Sequence, residues 1–244
     1  MLAGRHEVLQ NPFILTIHQN SQFEISFPTT MTANTRELLK RPLNSIGLSA
    51  PPPTKKTKTE TASPLDFVKT AFQKNGHSLK EVAMHAVSNF QRPTPELIKA
   101  YTMEPTKAVR DGDIKTVRRI HEDRKTDDNG DSSSVNCCNR FGDSLLHIAC
   151  RRGHTEVAKF LVHEAGACVS FLDDLKRTPL HDALWTAEPN FELVDFLLQE
   201  SPELALCPDN RGATPFDYAR RCHWEDVWMP FLQDRIHLFR IPMQ

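Results

Sequence analysis

Apolar positions along the chain follow different rules in its two halves. From residue 1 to about 63 they show no sustained period, Pro, Thr, Ser and Asn are plentiful, and residues 49–58 read SAPPPTKKTK. Such a segment cannot bury enough apolar surface to offset its ordering entropy, so a disordered arm is expected over 1–63. One patch differs: Phe23, Ile25 and Phe27 alternate with polar residues as a strand does, yet a lone strand has nowhere to pair. From Pro64 the spacing becomes helical. Leu65, Phe67, Val68, Ala71 and Phe72 share one face, and Gly76 follows where a C-cap sits. Ser78 and Glu81 form a capping-box pair ahead of a second face made by Leu79, Val82, Ala83, Ala86, Val87 and Phe90. Thr94-Pro95-Glu96 opens a short third helix that reaches Tyr101. The helical segment 64–101 is expected to cap the open end of whatever follows it.

The second half contains an internal repeat. The phrase reads GDSLLHIAC from Gly142, KRTPLHDAL from Lys176 and GATPFDYAR from Gly212. Leu146-His147 recurs as Leu180-His181 after 34 positions and as Phe216-Asp217 after a further 36. Each of the first two phrases is followed by a break and a second apolar pattern: Val157, Ala158, Phe160 and Leu161, then Leu193, Val194, Phe196, Leu197 and Leu198. A weaker earlier copy, KAVRDGDIKTVRRI, places Ala108, Gly112, Val117 and Ile120 where the next has Ala149, Gly153, Ala158 and Leu161. With its TPLH tetrapeptide and a period near the roughly 33 residues of that family, the region resembles ankyrin repeats. The resemblance implies an all-α fold: a helical solenoid of about four helix-turn-helix repeats with short hairpin loops over 104–234. The capping segment and disordered arm would precede it, and a tail over 235–244 would follow.

The residues of the phrase have physical reasons. Thr178 caps a helix whose first turn holds Pro179, where a missing N–H costs nothing, and Thr214-Pro215 repeats the arrangement. The resemblance implies that Leu180 points into the interface between repeats and that His181, with His147 before it, ties neighbouring backbone segments together. Ala149 and Ala183 let helices approach closely, and Gly153 provides a left-handed turn. Departures are visible too. Ser144-Leu145 stands for Thr-Pro, Asp217 for His, and Lys176 for the hairpin glycine, which predicts a strained or rearranged loop. Residues 124–134, RKTDDNGDSSS, read as an inserted solvated protrusion, Ala187-Glu188-Pro189-Asn190 lengthens one connection, and Pro230 must bend or shorten the last helix.

Carried over residue by residue, the resemblance implies a concave binding face. It takes Arg140, Phe141 and Asp143 from the first hairpin, Arg151 and Arg152 from the helix behind it, then Asp174, Leu175 and Arg177, Trp185 and Thr186, and finally Asn210, Arg211, Ala213 and Arg221. Six arginines against two aspartates suit an acidic or phosphorylated protein segment, the other reading being a soluble surface that pairs with itself. Trp185 and Phe141 are the natural anchors, unless they pack under the connection at Pro189. The implied function is a non-catalytic scaffold or adaptor, acting as a monomer. The alternative is a nuclear regulatory protein whose basic arm contacts nucleic acid or import machinery.

Composition narrows this further. Lys plus Arg (30) balances Asp plus Glu (31), so the bulk charge argues for neither nucleic acid nor a membrane surface. No stretch of 18 apolar residues occurs and Phe13 to Ile17 is too short for a secretory signal, so cytosol or nucleus is expected. The six cysteines (Cys137, Cys138, Cys150, Cys168, Cys207 and Cys222) lack C-x-x-C spacing and read as reduced thiols without a metal. Phosphate-loop, nucleophile-elbow and dinucleotide motifs are missing. His163-Glu164 approaches a zinc motif, but Ala167 occupies the second ligand position. No enzyme activity, cofactor or small-molecule substrate is therefore expected. Lys55, Lys56 and Lys58 beside three prolines form a weak import-like run or plain linker charge, and Met31 is a plausible translation start.

Overall fold

A computed structural model of the protein describes residues 14–17, 23–26, 63–125 and 137–241. The chain divides into two units, Met1–Glu60 and Thr61–Gln244. In the first, β1 (Ile14–Ile17) pairs antiparallel with β2 (Phe23–Ser26), with Leu15 opposite Ile25. The alternation at Phe23 and Ile25 thus has a partner that periodicity alone did not reveal, because four residues carry too short a pattern to be read. The remainder of the arm expected to be disordered, including Met31 and the Lys55-Lys56-Lys58 run, lies outside the described residues, as do nearly all of the inserted loop at 124–134 and residues 242–244.

Every described element of the second unit is a helix. Its first three are α1 (Pro64–Lys74), α2 (Leu79–Asn89) and α3 (Pro95–Lys99). Ser63 caps α1, Ser78 and Glu81 close a capping box on α2, and Thr94 caps α3, so each start sits where a hydroxyl can satisfy an orphan N–H. The helix pairs follow: α4 (Met103–Asp111) with α5 (Ile114–Lys125), α6 (Leu145–Arg152) with α7 (Thr155–His163), and α8 (Pro179–Leu184) with α9 (Phe191–Glu200). The fourth pair is altered. Its first helix, α10, spans only Pro215–Tyr218, and α11 (Met229–Asp234) begins after a wide turn over Trp224–Trp228. Pro230 therefore falls in the first turn of α11, where it needs no N–H partner, and the wide turn absorbs the break.

First helices stack on first helices (α4, α6, α8, α10) and second on second (α5, α7, α9). The seams are filled by Leu145, Leu146, Leu161, Leu180, Leu184, Leu193, Leu197 and Leu198, all almost wholly buried, with Ala149 and Ala183 fully buried among them. Outer helices are clipped in turn by Arg118–Glu164, Lys159–Glu192 and His163–Glu200, each exposed and each joining one repeat to the next.

The first two N-terminal helices lie against the last repeat. α1 packs on α10, α11 and the turn Pro202–Leu206, and α2 packs on the same turn, so both cover the far end of the array. Phe72 meets Phe239 edge to face at 5.5 Å, and Asn75 Nδ2 donates to the carbonyls of Ile236 and Phe239. Ile241 N–H donates to His77 Nε2, and Phe239 is fully buried, so the expected C-terminal tail is part of the packed unit at least to Ile241. From α2 the chain runs back along the inter-repeat loops. Gln91 N–H donates to Ser170 O, Leu172 N–H donates to Gln91 O, and Cys138 N–H donates to Leu97 O. Pro93 comes so near Gly142 that an added Cβ there would stand 2.9 Å from its Cγ. The strap gives buried loop amides and carbonyls the partners they need, a requirement invisible in side-chain periodicity.

The loop at Lys176 resolves as strain rather than rearrangement. Its φ of 62° matches Gly142 at 80° and Gly212 at 82°, so a lysine sits where only glycine is comfortable. Lys176→Gly should raise unfolding stability by about 1 kcal/mol, the relief of the strain exceeding the extra chain entropy that glycine loses. Denaturant titration tests this, and an unchanged or lower midpoint would mean that lysine contacts outweigh the backbone cost.

Candidate partner-binding face

Three hairpin tips are built identically. An Asx carboxyl or amide oxygen accepts backbone N–H groups two and four residues on: Asn139 from Phe141 and Asp143, Asp173 from Leu175 and Arg177, Asp209 from Arg211 and Ala213, at 2.7–3.0 Å. Tips are then joined to tips. Asp174 N–H donates to Phe141 O and Asn210 N–H donates to Leu175 O, both at 2.9 Å. Arg140, Phe141, Asp174, Leu175, Asn210 and Arg211 thus project from one hydrogen-bonded row. Asn139, Asp173 and Asp209 were missed in the sequence reading, although each stands three positions before Gly142, Lys176 or Gly212.

Behind the tips, the histidines of the repeated phrase fix the stacking. Ser144 N–H donates to His147 Nδ1, leaving Nε2 to donate to Arg177 O at 3.1 Å. Thr178 N–H donates likewise to His181 Nδ1, and His181 Nε2 donates to Ala213 O at 3.3 Å. Burial lowers the His181 pKa to about 4, so the ring is neutral at physiological pH and keeps the tautomer this geometry needs. Asp217 closes the series: its Oδ2 accepts from Thr214 N–H and Oγ1, completing the cap without reaching onward to another hairpin. Pro179 and Pro215 open α8 and α10, and Leu180 and Thr214 are buried beside them.

Two of the arginines assigned to the face are engaged inside the fold. Arg151 Nη2 lies 2.6 Å from Asp143 Oδ1 and 2.8 Å from Asp182 Oδ2, joining the hairpin of one repeat to the first helix of the next. Asp182 is fully buried and its Oδ1 has no hydrogen-bond partner, so Arg151 is its principal compensation. Burial raises the Asp143 pKa, but the Arg151 hydrogen bond and charge outweigh it and the net shift is downward. Arg177 forks onto Asp173, with Nε and Nη2 at 2.7 and 2.6 Å from Oδ2. The local positive excess of the face is correspondingly smaller than the tally of six arginines implied.

The remaining residues fall into two places. Trp185 ends α8 and is 44% exposed rather than buried under the connection at Pro189, with Tyr218 edge-on at 5.7 Å and the Arg177 guanidinium 5.8 Å from its ring centre. Phe141 is 42% exposed under Arg140, whose guanidinium lies 4.7 Å from the ring. Arg211 is exposed at its tip, and Arg221, also exposed, lies against Trp224 at 5.3 Å. At the other end of the array, Arg151 and Arg152 line a concavity of about 370 Å³ with Tyr101, Arg110, Asn139, Asp143 and Ile148. Arg110 lies in the weak first copy of the repeat and Tyr101 at the end of the expected capping segment, and only folding brings them together here.

Among the described residues no group of three or more His, Cys, Asp or Glu is placed to hold a metal ion, and no helix is long and apolar enough to cross a membrane. Cys137, Cys138, Cys150 and Cys207 are buried thiols, and burial pushes Cys138 up to about 11.

Comparison with known proteins agrees with this geometry. Residues 106–205 match the family model for ankyrin repeats in three copies. The chain is also similar to the ankyrin repeat protein FPV014 of fowlpox virus (strain NVSL), at 31% identity over 90 residues, which is 37% of this chain and 20% of the viral protein. The chain therefore spans only a small part of the length of that relative.

Proposed function

Residues 106–205 being ankyrin repeats, a class that generally mediates protein–protein interaction, we propose that this chain is a non-catalytic scaffold or adaptor that captures another polypeptide on the row of hairpin tips and first-helix ends. The observation that carries this reading is Trp185. A large aromatic side chain stands 44% exposed at a helix end, braced edge-on by Tyr218 and flanked by Arg177. A braced aromatic gives much contact area for little entropy loss, the property that makes such residues dominate interfaces.

Trp185→Ala should weaken capture of the principal partner by roughly 2 kcal/mol or more, about thirty-fold, while helicity stays near that of the parent chain. Affinity purification with quantitative mass spectrometry, with circular dichroism on the same preparations, measures both. A folded variant that recovers the same partners at parental strength would remove this face as the working surface. Charge reversal belongs at Arg140, Arg211 and Arg221, because changing Arg151 or Arg177 disturbs the fold itself.

A further inference from the structure

The concavity between the first two repeats holds an unusual charge arrangement. Arg118, Arg119, Arg151, Arg177 and Arg235 all bind carboxylates, and Arg140 and Arg221 lie over the rings of Phe141 and Trp224. Arg110 and Arg152, both exposed and both lining this concavity, make no ion pair among the described residues. The one carboxylate in the wall, Asp143, is already held by Arg151 through both oxygens at 2.6 and 3.4 Å. Two like charges are therefore left facing one space. The backbone segments that carry them are held together: His154 Nε2 lies 3.0 Å from Arg110 O, which pins the end of α4 to the turn that follows Arg152. Tyr101 and Ile148 add an aromatic and an apolar wall.

From this we propose that the concavity is a subsite for a phosphorylated side chain of the partner polypeptide, read by Arg110 and Arg152. The proposal rests on the scaffold reading above and adds a ligand class to it. A phosphate monoester carries a charge of about −1.5 to −2 near neutrality, which matches two unpaired guanidiniums, whereas a single carboxylate leaves one of them uncompensated. Guanidinium groups meet phosphate oxygens in bidentate fashion, which two separate arginines can do on one tetrahedral anion. The volume of about 370 Å³ accommodates the phosphate together with the side chain that bears it, at the small end of ligand pockets in general.

Phenyl phosphate and benzoate, similar in bulk and different in charge, separate the two anion classes. In the full chain labelled with ¹⁵N, phenyl phosphate should shift the Nε–Hε resonances of Arg110 and Arg152 saturably, with an affinity at least ten-fold above that of benzoate. Arg110→Gln and Arg152→Gln should each weaken it about ten-fold and together abolish it. Lys107→Gln, at an exposed position of α4 outside the concavity, should leave it unchanged. Equal affinity for benzoate overturns the proposal, as do shifts that never saturate or that persist in the double variant. Phenyl phosphate binding should be unaffected by Trp185→Ala. If phosphate binding fails while capture remains sensitive to Trp185, the subsite is lost and the scaffold stands; if capture ignores Trp185, the scaffold face fails on its own.

Discussion

Leu180→Asp should abolish cooperative folding of the repeat array. Leu180 is fully buried in the first turn of α8, a helix packed between α6 and α10. Removing the leucine side chain forfeits about 2–5 kcal/mol of transfer and packing free energy, judged by buried large-to-small substitutions. The new carboxylate adds several kcal/mol of desolvation or must take up a proton, and the fully buried Asp182 two residues on makes a second negative charge less tolerable. Together these rival the 5–15 kcal/mol that holds a typical domain folded. Stacked repeats depend on their neighbours, so loss of one seam spreads to the adjoining ones. Circular dichroism should show lost helicity at room temperature, with Leu180→Ala retaining a lowered but cooperative melt. Unchanged helicity and melting in Leu180→Asp would mean that the assigned register of the repeats is wrong.

The second large effect is expected at Arg151. Arg151→Ala should destabilise the chain by about 3–5 kcal/mol, because it strands the Asp182 carboxylate in the interior without its bridging cation. The effect should depend on Asp182. In a chain that already carries Asp182→Asn, removing Arg151 should cost much less, giving a coupling of about 2 kcal/mol in a double-mutant cycle by denaturant unfolding. Additive single substitutions would show that the pair contributes nothing and that Arg151 is available to a partner after all. Sequence logic put this arginine at the end of a first helix, a position that points outward in the family. The carboxylate that consumes it lies 31 positions away in the next repeat, beyond the reach of any local pattern.

Capping residues were legible because they act over three or four positions. Ser78 and Thr94 each accept a hydrogen bond from an N–H three residues on, so the chemistry and the reading frame coincide. The same holds for Gly112 and Gly153, left-handed at the junctions of helix pairs. Lys176 was legible as an anomaly because its neighbours in the repeat are glycines. The Asx residues that pin the hairpins were equally local but escaped notice, since Asn139, Asp173 and Asp209 read individually as ordinary polar loop residues.

By itself, the sequence determined the helices, their caps and the order in which repeats stack, because each of these follows from side chains that meet within one turn or recur at one period. Tertiary structure alone decided which arginines remain available, since that depends on buried carboxylates supplied by neighbouring repeats. It also decided where α1 and α2 lie. Helical periodicity states that Val68, Ala71 and Phe72 need cover, but any apolar surface of the right shape can supply it, and here Phe239 and the last repeat do so. The strap at Gln91 and Leu97 is a backbone matter, set by loop amides that lack partners and that no side-chain pattern reports. The concavity of Tyr101, Arg110 and Arg152 is likewise tertiary: a residue of the strap and the ends of α4 and α6 meet there.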